Sequence, residues 1–284
     1  MTLESVVSVN LAFARVAEHF GKDLRGVRFR VGVGRGHLLE LVAYVPKAVL
    51  PSRAEWEALE DAVEALVEAL LGTMLFDRWV GEIACVESPK KPELRLASSE
   101  RSSPTLAPAH ELRDLVLSVE RDIHAGLPPT PWSEIKDRSW TLLELDPEER
   151  AEGCPQPDLV LVATCYPELV RCFLSGAPFD SARFSANSER FACLEVAVPQ
   201  AFSERTQVKD ALEATLETAL SLERLGSVVG VGMGLRLLYF TLAVQHIEQA
   251  IASLRRCVAT PNISSAWLVW MDDAWAEDRV LLRD

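Results

Sequence analysis

Two stretches of the chain carry nearly the same helical message. DAVEALVEALL, residues 61–71, lies beside DALEATLETAL, residues 210–220, and six of the eleven positions are identical. Self-similarity at a long spacing is the signature of a repeated structural unit, and it limits the available folds more than composition does. The elements before the two helices match in order. A valine-rich run at 5–10, read as a strand, corresponds to 159–163. The helices that follow place apolar residues at Phe13, Val16, Ala17 and Phe20, and at Tyr166, Leu169, Val170 and Phe173. Both sets follow the i, i+3, i+4, i+7 spacing of one buried face.

Strand pairs repeat next. Runs at 27–33 and 38–45, joined by Gly34-Arg35-Gly36, correspond to 183–188 and 191–198. Pro46 and Pro199 stop the second strand of each pair, because proline lacks the ladder N–H. Gly72 and Gly226 follow the matched helices as expected of C-caps. Ser52 and Glu55 have the spacing of a capping box. Strands are expected at 79–87 and 227–231. Helices then place Leu112, Leu115, Val116, Val119 and Ile123 on one face, and Ile247, Ala250, Ile251, Leu254 and Val258 on another. Each half closes on a strand opening with tryptophan, Trp140 or Trp267, both expected to be largely buried.

The predicted architecture is α+β: a tandem duplication of a ferredoxin-like, split βαβ unit with an appended helix–strand pair. Its sheets are expected to be antiparallel or mixed and covered by helices. The predicted domains are 1–147 and 158–284, joined by a polar, proline-bearing linker at 148–157. A long exposed loop at 88–109 is expected to hold a short strand at 94–97.

Composition narrows the function. With 49% hydrophobic and 25% charged residues, the chain has material for a sizeable core. Its 42 acidic and 29 basic residues leave a net charge of −13. That excess opposes binding to nucleic acid or to anionic membranes and favours a basic partner. The sequence shows no secretory leader and no apolar run long enough to span a bilayer. Six cysteines without a C-x-x-C pair suit buried free thiols in the cytoplasm.

No motif supplies a catalytic signature. Gly230, Gly232 and Gly234 precede a strand-like run rather than Lys-Ser/Thr or a helix, so a bulge between strands is expected instead of a phosphate loop. His110 with Asp114, and Glu120 with His124, have helical metal-ligand spacing but no third ligand. Cys165 and Cys172 lack a neighbouring base. No catalytic residue, metal or cofactor site is predicted.

The acidic groups carry more information. Glu55, Glu57, Glu60, Asp61, Glu64 and Glu68 follow one another with no lysine or arginine from Ala54 to Gly72. Near the C-terminal end, Asp272, Asp273, Glu277 and Asp278 interleave with Trp270 and Trp275, a composition suited to a protein interface. The predicted function is a non-catalytic acidic binding protein, of the bacterial immunity type, neutralising a basic toxin or enzyme. The alternative is an enzyme or small-molecule sensor with a site at the junction of the two repeats, drawing on Asp272, Asp273, Arg236 and Tyr239.

Overall fold

The computed structural model describes residues 3–49, 55–87, 106–146, 155–198, 205–275 and 278–284. The chain forms two compact units, Met1–Ile123 and His124–Asp284. Both mix helices with a sheet.

The first unit opens with helix α1 (Leu3–Phe20), which absorbs the run at 5–10 expected to be a strand. Val9 stands three and four residues before Ala12 and Phe13, so it extends the stripe that Val16 and Phe20 continue. Packing of that stripe outweighs the local β preference of valine. Strands β1 (Arg28–Val33) and β2 (Leu39–Val45) form an antiparallel hairpin. Gly36 takes φ 61° in the turn, and a Cβ on Gly34 would meet the Glu40 carboxylate. Helices α2 (Trp56–Leu71) and α3 (Thr73–Trp79) then cross over to β3 (Val80–Glu87), parallel to β2. A short β4 (Ala107–Pro108) and helix α4 (Leu112–Ala125) follow, giving the strand order β3-β2-β1-β4. Alternate residues of β1 and β2, Phe29, Val31, Leu39, Leu41, Ala43 and Val45, pack with Leu59, Val63 and Leu66 of α2 and Leu112 and Val116 of α4. Gly72 caps α2 at φ 82°, its N–H donating to the Glu68 carbonyl. Ser52, the partner of Glu55 in the expected capping box, lies outside the described residues, as do the strand at 94–97 and residues 88–105 of the expected loop.

The second unit is built on a seven-stranded sheet, β11-β10-β7-β9-β8-β6-β5. Its strands are β5 (Thr141–Glu144), β6 (Leu159–Thr164), β7 (Arg190–Ala197), β8 (Gly226–Gly234), β9 (Leu237–Val244), β10 (Ser265–Trp270) and β11 (Arg279–Arg283). Helix α5 (Pro167–Leu174) joins β6 to β7, α6 (Arg205–Leu222) joins β7 to β8, and α7 (Ile247–Val258) joins β9 to β10. Within this sheet β7-α6-β8-β9-α7-β10 has the split βαβ order, with all neighbouring strands antiparallel.

This arrangement corrects the expected duplication in several places. The split βαβ order starts at β7, not at 159–163. Residues 183–188 form no strand: a 3₁₀ turn at Ser181–Arg183 leads into a loop where Ser188 takes φ 58°. Strand β5, assigned by sequence to the first repeat, pairs with β6 of the second unit. The two sheets differ in strand number and order, although the helices α2 and α6 are alike in sequence. Residues 148–154 of the expected linker lie outside the described residues. Gly226 begins β8 rather than capping a helix; a Cβ there would collide with the Ala243 carbonyl oxygen. Trp140 is 44% exposed and Trp267 only half-buried, so their equivalence as core residues fails.

Both faces of the large sheet are covered. On one, Leu194, Val196, Phe240, Leu242, Leu268 and Trp270 pack under Leu212 and Leu216 of α6 and Leu254 of α7. On the other, Phe191, Cys193, Tyr239 and Val162 pack under Leu169 and Val170 of α5, with Trp132, Phe179 and Phe184. The period of 3.6 in these helices places Val16, Phe20, Leu59, Val63, Leu66, Leu70, Phe173, Leu212, Leu216, Ile251 and Leu254 on inward faces; Phe20, Leu70, Phe173 and Ile251 are partly buried and the others buried. Leu216→Ala is expected to cost about 2–5 kcal/mol in chemical denaturation, because it removes a fully buried side chain from the core and leaves a cavity. Ala214→Ser, on the exposed face of the same helix, is expected to stay within about 0.5 kcal/mol.

Candidate functional site

The residues singled out near the C-terminal end do not share one surface. Strand β10 alternates, so Leu268 and Trp270 turn toward α6 and α7 while Trp267 lies on the opposite face under Arg279, 5.5 Å from its ring. Trp270 is 4% exposed and therefore belongs to the core rather than to an interface. Its ring meets Trp275 edge to face, with centroids 5.6 Å apart.

Asp272 is 3% exposed, a buried carboxylate whose lost water is replaced by donors. Ser181 supplies its N–H and its hydroxyl, each at 2.6 Å, and Arg190 supplies Nη1 at 3.1 Å. The Ser181 hydroxyl in turn accepts from the Phe191 N–H at 2.9 Å. Asp273 is exposed and accepts from the Phe179 N–H at 3.0 Å. Together these bonds pin the segment after β10 to the 3₁₀ turn before β7. Asp278 is exposed, and Glu277 lies outside the described residues.

Arg190 joins this cluster to a cleft. Its guanidinium sits 4.9 Å from the Trp275 ring centroid while paired with Asp272. The cleft has a volume of about 530 Å³ and is lined by Ser188, Arg190, Val244, Gln245, His246, Ile247, Glu248, Gln249 and Trp275. Arg190 and Val244 are register partners at the ends of β7 and β9, which places the opening where the sheet stops and α7 begins. His246, at the N-cap of α7, takes φ 51° and gives the helix no side-chain cap. Strain at a non-glycine residue is a feature of binding loops. Sequence reasoning did not find Arg190; its only trace is a single cation opening a strand whose one other charged residue is Glu195.

The other candidates serve the scaffold. Asp158 accepts from the Arg236 N–H at 2.7 Å, the Leu237 N–H at 3.3 Å and the Tyr239 hydroxyl, locking the β8–β9 turn. Tyr239 and Arg236 are thus not gathered with Asp272 and Asp273. The glycines at 230–234 lie inside β8, and the register shift falls between Val228 and Gly230. A Cβ on Gly232 would lie 2.5 Å from Leu159, and one on Gly234 2.9 Å from the Asp158 side chain. These glycines make room for neighbouring strands, not for a phosphate.

Burial pushes the Cys85, Cys165 and Cys172 thiols up to about 11, and raises Cys193 and Cys257 as well. None is poised as a thiolate nucleophile. Among the described residues, no three His, Cys, Asp or Glu side chains come together as a metal site. No helix of the described residues is long and apolar enough to cross a membrane.

The acidic series of α2 is arranged differently from the C-terminal cluster. Glu57, Glu60, Asp61, Glu64 and Glu68 are all exposed, opposite the buried Leu59, Val63 and Leu66. Trp56 donates its indole N–H to Glu60 at 2.9 Å. Comparison with protein-family models, with curated proteins and with solved structures finds no match to this chain.

Two outcomes follow from this geometry. Asp272→Ala is expected to lose about 2–3 kcal/mol, since it strips charged hydrogen bonds from a buried Ser181, whereas Asp278→Ala is expected to change stability by less than about 0.5 kcal/mol. Urea titration of both variants checks this. Iodoacetamide at neutral pH is expected to leave Cys85, Cys165, Cys172, Cys193 and Cys257 largely unmodified in the native protein and to label them after denaturation. Peptide mass mapping reads the difference.

Proposed function

We propose that this is a non-catalytic acidic binding protein of the immunity type, which neutralises a basic toxin or enzyme in the cytoplasm. The observation that carries the reading is the exposed acidic face of α2, where five carboxylates follow one another without a basic residue. Like charges at i, i+4 repel, so such a face costs a little helix stability unless a cationic partner neutralises it. The net charge of −13 adds a long-range field of the same sign. On the second unit, Asp273 and Asp278 are exposed carboxylates as well. Free cysteines with raised thiols suit a reducing compartment.

The test is binding kinetics with a basic partner recovered from the native host. Association is expected to slow as salt rises from about 0.1 M to 1 M, where the Debye length falls from roughly 10 Å to 3 Å, while dissociation changes less. Reversing Glu57, Glu60, Glu64 and Glu68 to lysine is expected to slow association by about tenfold or more. A rate indifferent both to salt and to these four reversals would dispose of the electrostatic reading.

A further inference from the structure

We propose that the cleft at the end of β7 and β9 binds a small organic carboxylate, with Arg190 as its anchor and the half-buried Trp275 and Ile247 as its apolar walls. The volume of about 530 Å³ falls in the range of small-molecule sites. Arg190 is held in place from two sides, by the Trp275 ring and by Asp272. A guanidinium already fixed in orientation loses little entropy when a ligand arrives. Its side chain is 40% exposed, and Asp272 engages only Nη1. Arginine presents five N–H donors in a planar fork matched to a carboxylate. Asp272 has two further bonds from Ser181, so sharing Arg190 with a ligand leaves it satisfied.

The lining also selects the class of ligand. Arg190 is the single arginine or lysine there, and Glu248 lines the same cleft. Two carboxylates, Asp272 and Glu248, stand near this one cation, which suits a singly charged group better than a doubly charged phosphate. The apolar walls leave room for a body larger than a bare inorganic ion. Gln249 adds an amide at the rim. This inference is independent of the acidic face of α2, and reversal of the α2 carboxylates is expected to leave it untouched.

Calorimetric titration of the full chain with benzoate, hexanoate, benzamide and inorganic phosphate tests it. Benzoate or hexanoate is expected to bind saturably, and benzamide and phosphate at least about tenfold more weakly, the effect of losing a charged hydrogen bond. Arg190→Gln is expected to weaken carboxylate binding by about tenfold or more. Gln249→Trp, a bulky replacement at an exposed position of the cleft lining, is expected to abolish binding while circular dichroism and thermal midpoint stay unchanged. The proposal is overturned if neither carboxylate binds, if benzamide or phosphate binds as well as benzoate, or if folded Gln249→Trp binds like the parent protein.

Discussion

Burial of the central strands of the large sheet on both faces governs the second unit. Strands β7 and β9 expose almost nothing, so each successive side chain must find a partner layer above or below. Leu194 and Phe240 meet α6 and α7, while Cys193 and Tyr239 meet the layer of α5, Phe179 and Phe184. A one-residue slip in register would exchange these two sets and place every side chain in the wrong layer. The bulge near Val229 is where this demand is reconciled: Val228 and Val231 face one layer, and Val229 the other.

A sheet covered on both sides leaves its polar groups little water, and this fold meets the difficulty with carboxylates that accept from the strand ends. Glu217 of α6 accepts from Ser227, from the Val228 N–H and from Arg138, tying a helix, a strand and the segment before β5 together. Glu189 accepts from the Trp132 N–H at 2.7 Å and from Ser185 at 2.9 Å, and burial holds its carboxyl above the usual range. Asp158 and Asp272 do the same work at opposite ends of the chain segment. Each satisfies backbone donors that no strand reaches. Asp272 differs in one respect: its third donor, Arg190, also faces open space. The cleft is therefore a by-product of how the sheet ends are tied, and its cation is oriented by the scaffold itself.

The first unit invests differently. Its sheet is smaller, and α2 uses one face for Leu59, Val63, Leu66 and Leu71 and carries five carboxylates on the other. Helix α6, its near-copy in sequence, carries Lys209 beside Asp210 and Glu213 and ties the half-buried Glu217 into the Arg138 network. The same periodic pattern thus supports a charged outer surface in one unit and a polar anchor in the other. What separates them is a few side chains outside the apolar stripe.

Helix faces were legible because the period of 3.6 is local: Leu59, Val63 and Leu66, or Ala250 and Leu254, identify the buried stripe without reference to anything distant. The hairpin at Gly34–Gly36 and the cap at Gly72 were legible for the same reason. The sequence also marked α6 as a relative of α2. Strand order was not available from it, because β5 joins β6, and β9 inserts between β7 and β8, through pairings that depend on the whole layer. Residues 5–10 looked like a strand until the stripe from Val9 to Phe20 had something to pack against. Among the site residues, Trp270 and Asp272 were noticed for their chemistry, but composition has no term for which side of β10 is covered. Arg190 acquired a role only when the fold brought it between Asp272 and Trp275, residues more than eighty positions away in the chain. Local periodicity determined the elements; long-range pairing, driven by burial on both sides of one sheet, decided their neighbours and so the site.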